Sequence, residues 1–204
     1  NSFASCTFST VIIPNSVKEL GHSCFSSCRS LTNVVFEKES HVEKIDTNAF
    51  FYCSSLTTFT LPNSVKEIGI AIFSYCYNFQ ELKLEDENSN FVIRDGCLFD
   101  KDMKRIIYAF NISTESYAVP DGVEIVSSYT FDNISTLKEL IIPNSVKKIE
   151  TVAINNCDYL EKITVPFIGT QRGISGTYDS VFGAIFRNLG VSGSTGISGV
   201  IHKY

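Results

Sequence analysis

Tryptophan is absent from this chain, methionine occurs once, and there are only three histidines and five prolines. The histidines, His22, His41 and His202, are scattered, and no two stand at a metal-ligand spacing. No apolar run approaches the roughly 20 residues that a membrane-spanning helix needs, so no membrane insertion is expected. Basic residues do not cluster: 17 are interspersed among 22 acidic ones, for a net charge of −5. That pattern argues against nucleic acid or an anionic membrane surface as a partner. Neither common glycine-rich phosphate loop is present. Gly173-Ile174-Ser175-Gly176 stops short of a nucleophile elbow, because residue 177 is threonine. The 204 residues open at Asn1 inside a partial repeat and show no leader peptide. They read as a mature or excised piece, which leaves targeting undecided.

What the chain has instead is periodicity. Asn63-Ser64-Val65-Lys66-Glu67-Ile68 echoes Asn15 to Leu20 and Asn144 to Ile149. Phe25-Ser26-Ser27-Cys28 and Phe50-Phe51-Tyr52-Cys53 share a second pattern with Phe73 to Cys76. Pro120, Pro143 and Pro166 fall 23 residues apart, as do Val42 and Val65. A fixed period of this size is the mark of a solenoid, in which each coil touches only its neighbours. Sixteen phenylalanines fit a slot that takes the same large side chain in coil after coil.

Seven cysteines cannot all pair internally. Five of them, Cys6, Cys28, Cys53, Cys76 and Cys157, occupy one slot, three residues after a phenylalanine or its isoleucine equivalent. Side chains that point the same way in neighbouring coils meet the disulfide dihedral poorly. They read as a ladder of small buried thiols. Cys24 lies four residues before Cys28, but a zinc site would need two further ligands there. Asp100 and Asp102 lack a calcium-binding loop and read as a hairpin turn.

Each coil ends in an alternating segment, such as Leu82 and Leu84 between Glu81 and Lys83, which is strand periodicity. The Val-Lys-Glu-Ile head reads as a second short strand. The Phe-x-x-Cys segment between them is too short for a free helix and reads as a 3₁₀ or single α turn. The expected class is therefore α/β: a strand-rich, right-handed solenoid of short parallel strands joined by short helical turns. It spans residues 1–166, with an extra loop at Glu37-Lys38-Glu39 and a divergent turn at 86–120. Eight of the 12 glycines lie between Gly169 and Gly199, so 167–204 reads as a cap or linker. Within it, residues 178–189 show helical spacing, and residues 190–204 read as a linker or the start of another coil.

Pro62-Asn63-Ser64-Val65-Lys66-Glu67-Ile68 and Ala49-Phe50-Phe51-Tyr52-Cys53-Ser54-Ser55-Leu56 resemble the head and centre of the BspA-like, or Treponema pallidum type, leucine-rich repeats. The resemblance runs through residues 3–166. Ile134 departs from it at a cysteine slot and Ile154 at a phenylalanine slot. It implies a secreted or surface-anchored protein, further repeats in a longer chain, adhesion to a host matrix or cell-surface protein, and no enzymatic activity. No cofactor and no metal are expected, and the chain is expected to be a monomer.

The candidate partner-binding face is the outward side of the principal strands: Thr10, Asn33, Val35, Thr58, Thr60, Glu81, Lys83, Glu139, Ile141, Lys162 and Thr164, together with Ile12. Solenoids rank such residues coil by coil on one surface. Two other readings stay open: a spacer that projects another domain, and a hydrolase site in 86–120 or 167–204. Asn111-Ile112-Ser113 and Asn133-Ile134-Ser135 are glycosylation sequons, relevant only to a secreted eukaryotic chain.

Overall fold

In the computed structural model, described for residues 2–86, 88–167, 186–187 and 198–201, the chain divides into two units at Ile93/Arg94. The division falls inside the divergent stretch 86–120.

The N-terminal unit is a strand-rich β-solenoid. Its strands are β1 (Thr10–Ile13), β2 (Glu19–Leu20), β3 (Asn33–Phe36), β4 (Lys44–Ile45), β5 (Thr58–Leu61), β6 (Glu67–Ile68), β7 (Glu81–Leu84) and β8 (Phe91–Arg94), which reaches the division. The short head strands form one parallel sheet, β2-β4-β6. The principal strands form two separate parallel pairs, β1-β3 and β5-β7. Between the sheets runs a column of phenylalanine rings. Phe3, Phe25, Phe50 and Phe73 stack at centroid distances of 5.6, 5.5 and 5.8 Å, with interplanar angles of 11, 10 and 18°. Phe59 wedges against Phe50 and Phe73 at 5.1 and 5.0 Å. Phe25, Phe50 and Phe73 are buried and Phe3 is half exposed; aliphatics such as Leu31, Ile45, Leu56 and Val65 complete the core around the column.

The C-terminal unit repeats the plan with aliphatic filling. Its strands are β9 (Cys97–Asp100), β10 (Arg105–Ala109), β11 (Ser116–Ala118), β12 (Ile125–Val126), β13 (Phe131–Asp132), β14 (Glu139–Ile141), β15 (Lys148–Ile149), β16 (Ile154–Asn155), β17 (Lys162–Val165), β18 (Phe186–Arg187) and β19 (Ser198–Ile201). The principal strands run β11-β14-β17-β19, all parallel. The turn segments also form a ladder here, β13-β16-β18. Strands β9 and β10 form the antiparallel hairpin that the divergent stretch contributes. Asp100 closes it, its Oδ1 accepting the N–H groups of Lys104 and Arg105 at 2.7 and 2.8 Å. That carboxylate serves a turn, as the lack of a calcium loop suggested.

Among the described residues there is no helix, and the expected helical turns are corrected. The reason lies in where the N–H groups point. In the segment around Phe50, Asn48, Phe50 and Tyr52 donate to carbonyls of Ile70, Ile72 and Ser74 in the next coil, at 3.0, 3.0 and 2.8 Å. The residues between them, Ala49, Phe51 and Cys53, donate three residues back within the coil. Half the donors are thus committed between coils, and a continuous i→i−4 ladder cannot form. Alternation needs left-handed residues two before and two after the core side chain. These are Ser23 and Ser27, Asn48 and Tyr52, Ala71 and Tyr75, Tyr129 and Asn133, and Val152 and Asn156, with φ of 50 to 61°. Few of these residue types adopt that region in isolation. The α component of the expected class disappears with the helical turns.

In the C-terminal segment, Phe186–Arg187 is a strand paired with Ile154–Asn155, so these two residues do not join the helix expected over 178–189, whose other residues lie outside the described ones. The backbone of Ser198–Ile201 pairs with Lys162–Val165, one of the two readings open for residues 190–204. The rest of the segment, with the nucleophile-elbow-like glycines at 173 and 176, lies outside the described residues.

Candidate functional site

The outward positions of the principal strands form one row of residues per coil, because strand alternation sends every second side chain to solvent. In the N-terminal unit the register sets Thr10 beside Asn33 and Ile12 beside Val35. It sets Thr58 beside Glu81 and Thr60 beside Lys83. All eight are exposed. Ile12 is 61% and Val35 38% exposed, so two adjacent rows put a bare aliphatic pair in water. In the C-terminal unit Glu139 stands beside Lys162 and Ile141 beside Thr164. Lys162 is exposed and the other three are half-buried. Ser116 and Ala118 occupy the same two rows on β11, and both are exposed. Sequence reasoning passed over them because they lie in the stretch where the 23-residue rhythm fails.

The charges on this face already have partners. Lys83 pairs with Glu81 at 3.1 Å and Lys162 with Glu139 at 2.6 Å. Glu139 also accepts the Ser116 hydroxyl at 2.9 Å. The Lys162 ammonium, followed by that hydroxyl, holds the Glu139 carboxyl below the usual carboxylate range.

The face of the N-terminal unit is notched. Val34, Val35, Phe36, Thr60, Pro62 and Glu85 line an open depression of about 220 Å³ between β3 and β5. It lies where the sheet is interrupted. From Val17 to Val42 the repeat takes 25 residues instead of 23, the excess falling in the loop after β3.

A second surface went unremarked in the sequence. Phe51, Tyr52, Tyr75 and Tyr77 contact one another on the turn side of the N-terminal unit, at centroid distances of 5.1 to 6.3 Å. The Arg29 guanidinium sits 4.6 Å over the Tyr52 ring. Tyr77 is half exposed. The signal was present as Tyr52 and Tyr75, each standing before a ladder cysteine, 23 residues apart.

The cysteines are structural. Four of the five ladder thiols point at the carbonyl of the core residue one coil earlier: Cys28 at Phe3 (3.0 Å), Cys53 at Phe25 (3.1 Å), Cys76 at Phe50 (3.1 Å) and Cys157 at Phe131 (3.5 Å). These four are more than the small hydrophobes expected, since each donates a weak hydrogen bond along the stack. All seven are free thiols. Burial pushes Cys53, Cys97 and Cys157 up to about 12 and Cys24 to about 11, which suppresses the nucleophilic thiolate. Among the described residues no group of three or more His, Cys, Asp and Glu converges as metal ligands do. Among them, too, no helix is long and apolar enough to cross a membrane.

The chain is similar in structure to the pneumococcal vaccine antigen PcpA, with a TM-score of 0.72 and 34% identity over 77% of its length. It is also similar to a leucine-rich cell surface protein of Faecalibacterium prausnitzii, at 0.66 and 28% over 76%. A leucine-rich repeat protein of Eubacterium ventriosum shares the fold at 0.56 and 20% identity, over 81% of this chain and 58% of that one. The chain spans 39% and 40% of the length of the first two. No curated protein matches it in sequence. The model of the BspA-type leucine-rich repeat region matches in six copies, over residues 1–114 and 104–171. This chain belongs to the BspA-type leucine-rich repeat family.

Proposed function

We propose that the chain is a non-catalytic protein-binding module of a secreted or cell-surface protein, and that the outward strand face of the N-terminal unit is where its partner lands. The observation that carries this reading is the exposed row Ile12 and Val35 beside polar Thr and Asn neighbours. An aliphatic pair left in water on an otherwise polar sheet gains most from a partner that covers it. The cell-surface description of the Faecalibacterium prausnitzii protein supports the location. The expected partner is a host matrix or cell-surface protein, bound by the chain as a monomer.

The test is interferometry of the chain over immobilised collagen, fibronectin, fibrinogen and laminin. Binding to one of them should fall at least several-fold in Ile12→Ser/Val35→Ser and in the charge reversal Lys83→Glu. Binding that survives both changes would move the partner off this face.

One observation favours a second reading, a spacer array without its own ligand. The lysines of the face are already paired within the chain, at 2.6 and 3.1 Å, so a partner must compete for them. Absence of binding to every immobilised protein would support the spacer.

A further inference from the structure

We infer that the notch between β3 and β5 receives a single lysine or arginine side chain from the protein partner. This deepens the reading of the strand face and rests on it. The notch exists because the ladder fails there. In the coils on either side, the residue after the principal strand donates its N–H to the preceding coil: Glu37 to Ile13 and Glu85 to Leu61, both at 3.0 Å. The equivalent donor toward Phe36 would be residue 62, which is proline and has no N–H. A proline alone does not part the strands, since Pro143 and Pro166 hold the same position where β11, β14 and β17 stay paired. The gap coincides with the two extra residues of the loop after β3, and there the Phe36 carbonyl lacks the donor that Ile13 and Leu61 have.

The walls then specify the occupant. Val34, Val35, Phe36 and Pro62 are apolar and suit the methylene stem of a long side chain. Of the polar side chains that line the notch, Glu85 brings a carboxylate, which only accepts, and Thr60 a hydroxyl that both donates and accepts. Glu85 Oε2 already takes the Asn63 N–H at 2.9 Å, which fixes the carboxylate in place and leaves acceptor capacity over. A carboxylate above an apolar floor favours a cationic donor over a neutral or anionic one. The surroundings agree. Glu37 and Glu39 follow β3, Asp86 follows Glu85, and residues 1–93 carry ten acidic against six basic residues. Residues 94–204 are nearly balanced, at twelve against eleven. A basic segment is therefore steered toward the N-terminal unit.

The experiment titrates the isotope-labelled full chain with N-acetyl-arginine methylamide and, separately, with its neutral isostere N-acetyl-citrulline methylamide. The arginine probe should give saturable amide shifts at Val34, Val35 and Thr60, and the citrulline probe should not. Glu85→Gln keeps an acceptor for Asn63 but loses the charge, and should weaken the arginine probe by about threefold to tenfold. Thr60→Arg fills the notch from within and should abolish the shifts. Equal shifts with citrulline, an unchanged affinity in Glu85→Gln, or shifts spread over all surface carboxylates would each overturn the inference. Failure here is separable from failure of the strand-face reading. A matrix protein bound equally by Glu85→Gln removes the notch and keeps the face. A saturating arginine probe with no matrix protein bound does the reverse.

Discussion

The two units use one repeat and fill it differently. In the N-terminal unit the central slot holds Phe3, Phe25, Phe50 and Phe73, and the rings stack face to face. In the C-terminal unit the same slot holds Phe131 and then Ile154, surrounded by aliphatics such as Leu140, Ile149 and Ile163. The principal strands differ in the opposite sense. They are continuous from β11 to β19 but split between β3 and β5. The unit with the stronger aromatic column thus tolerates the weaker sheet. Stacked side chains and strand hydrogen bonds are partly exchangeable ways of holding neighbouring coils together.

Truncating the column should separate the units most. Phe50→Ala removes a ring packed on both faces and is expected to cost about 3–5 kcal/mol in a urea melt. Ile154→Ala, in the matching slot of the C-terminal unit, is expected to cost about 2–4 kcal/mol. A larger loss for Ile154 would break the comparison. Next come two glycines of one slot. A Cβ on Gly69 would lie 2.3 Å from the Thr47 nitrogen, a backbone atom that cannot step aside, whereas one on Gly21 meets nothing within 4 Å. Gly69→Ala should therefore lose about 2 kcal/mol, and Gly21→Ala should stay within about 0.5 kcal/mol of the parent.

The thiol ladder gives a smaller effect with a pH signature. Cys53→Ala should cost about 1–2 kcal/mol. Burial raises the Cys53 thiol from its ordinary value near 9 to about 12, so the folded chain keeps a proton that the unfolded chain releases. The stability from that difference is complete below pH 9 and is lost as pH climbs toward about 12. Denaturation midpoints followed through that range should fall less steeply in Cys53→Ala than in the parent. The smallest change has the opposite sign. Val152 is a β-branched residue at a φ of 57°. Val152→Asn, which accepts that region readily, should gain about 0.5–1 kcal/mol. A loss instead would show that the valine side chain is worth more to packing than its backbone strain costs.

Much of this architecture is legible in the sequence, and what is not has a physical reason. The phenylalanine and cysteine slots follow from the period, since stacking brings residues 23 apart into contact. The rows of the strand face follow from alternation at positions such as Glu81 and Lys83. The turn conformation does not follow, because Tyr52 and Val152 take left-handed φ only once the next coil demands their N–H geometry. Nor does the notch. The longer loop at Glu37-Lys38-Glu39 is visible in the sequence, but the gap beside it between β3 and β5 is seen only once the neighbouring coils are known. The candidate face was readable for its register but not for its ion pairs, because the rotamers of Lys83 and Lys162 are not written in a repeat.

The ladder of thiols aimed at carbonyl oxygens carries a consequence for how the fold meets oxidation. Conversion of Cys53 to a sulfinic acid, ionised at neutral pH, would place a sulfinate oxygen against the Phe25 carbonyl, where lone pair would face lone pair. The closed stack denies oxidants access to these sulfurs. A coil that opens long enough to be oxidised would then be unable to close again, so a brief local opening would be recorded as permanent damage.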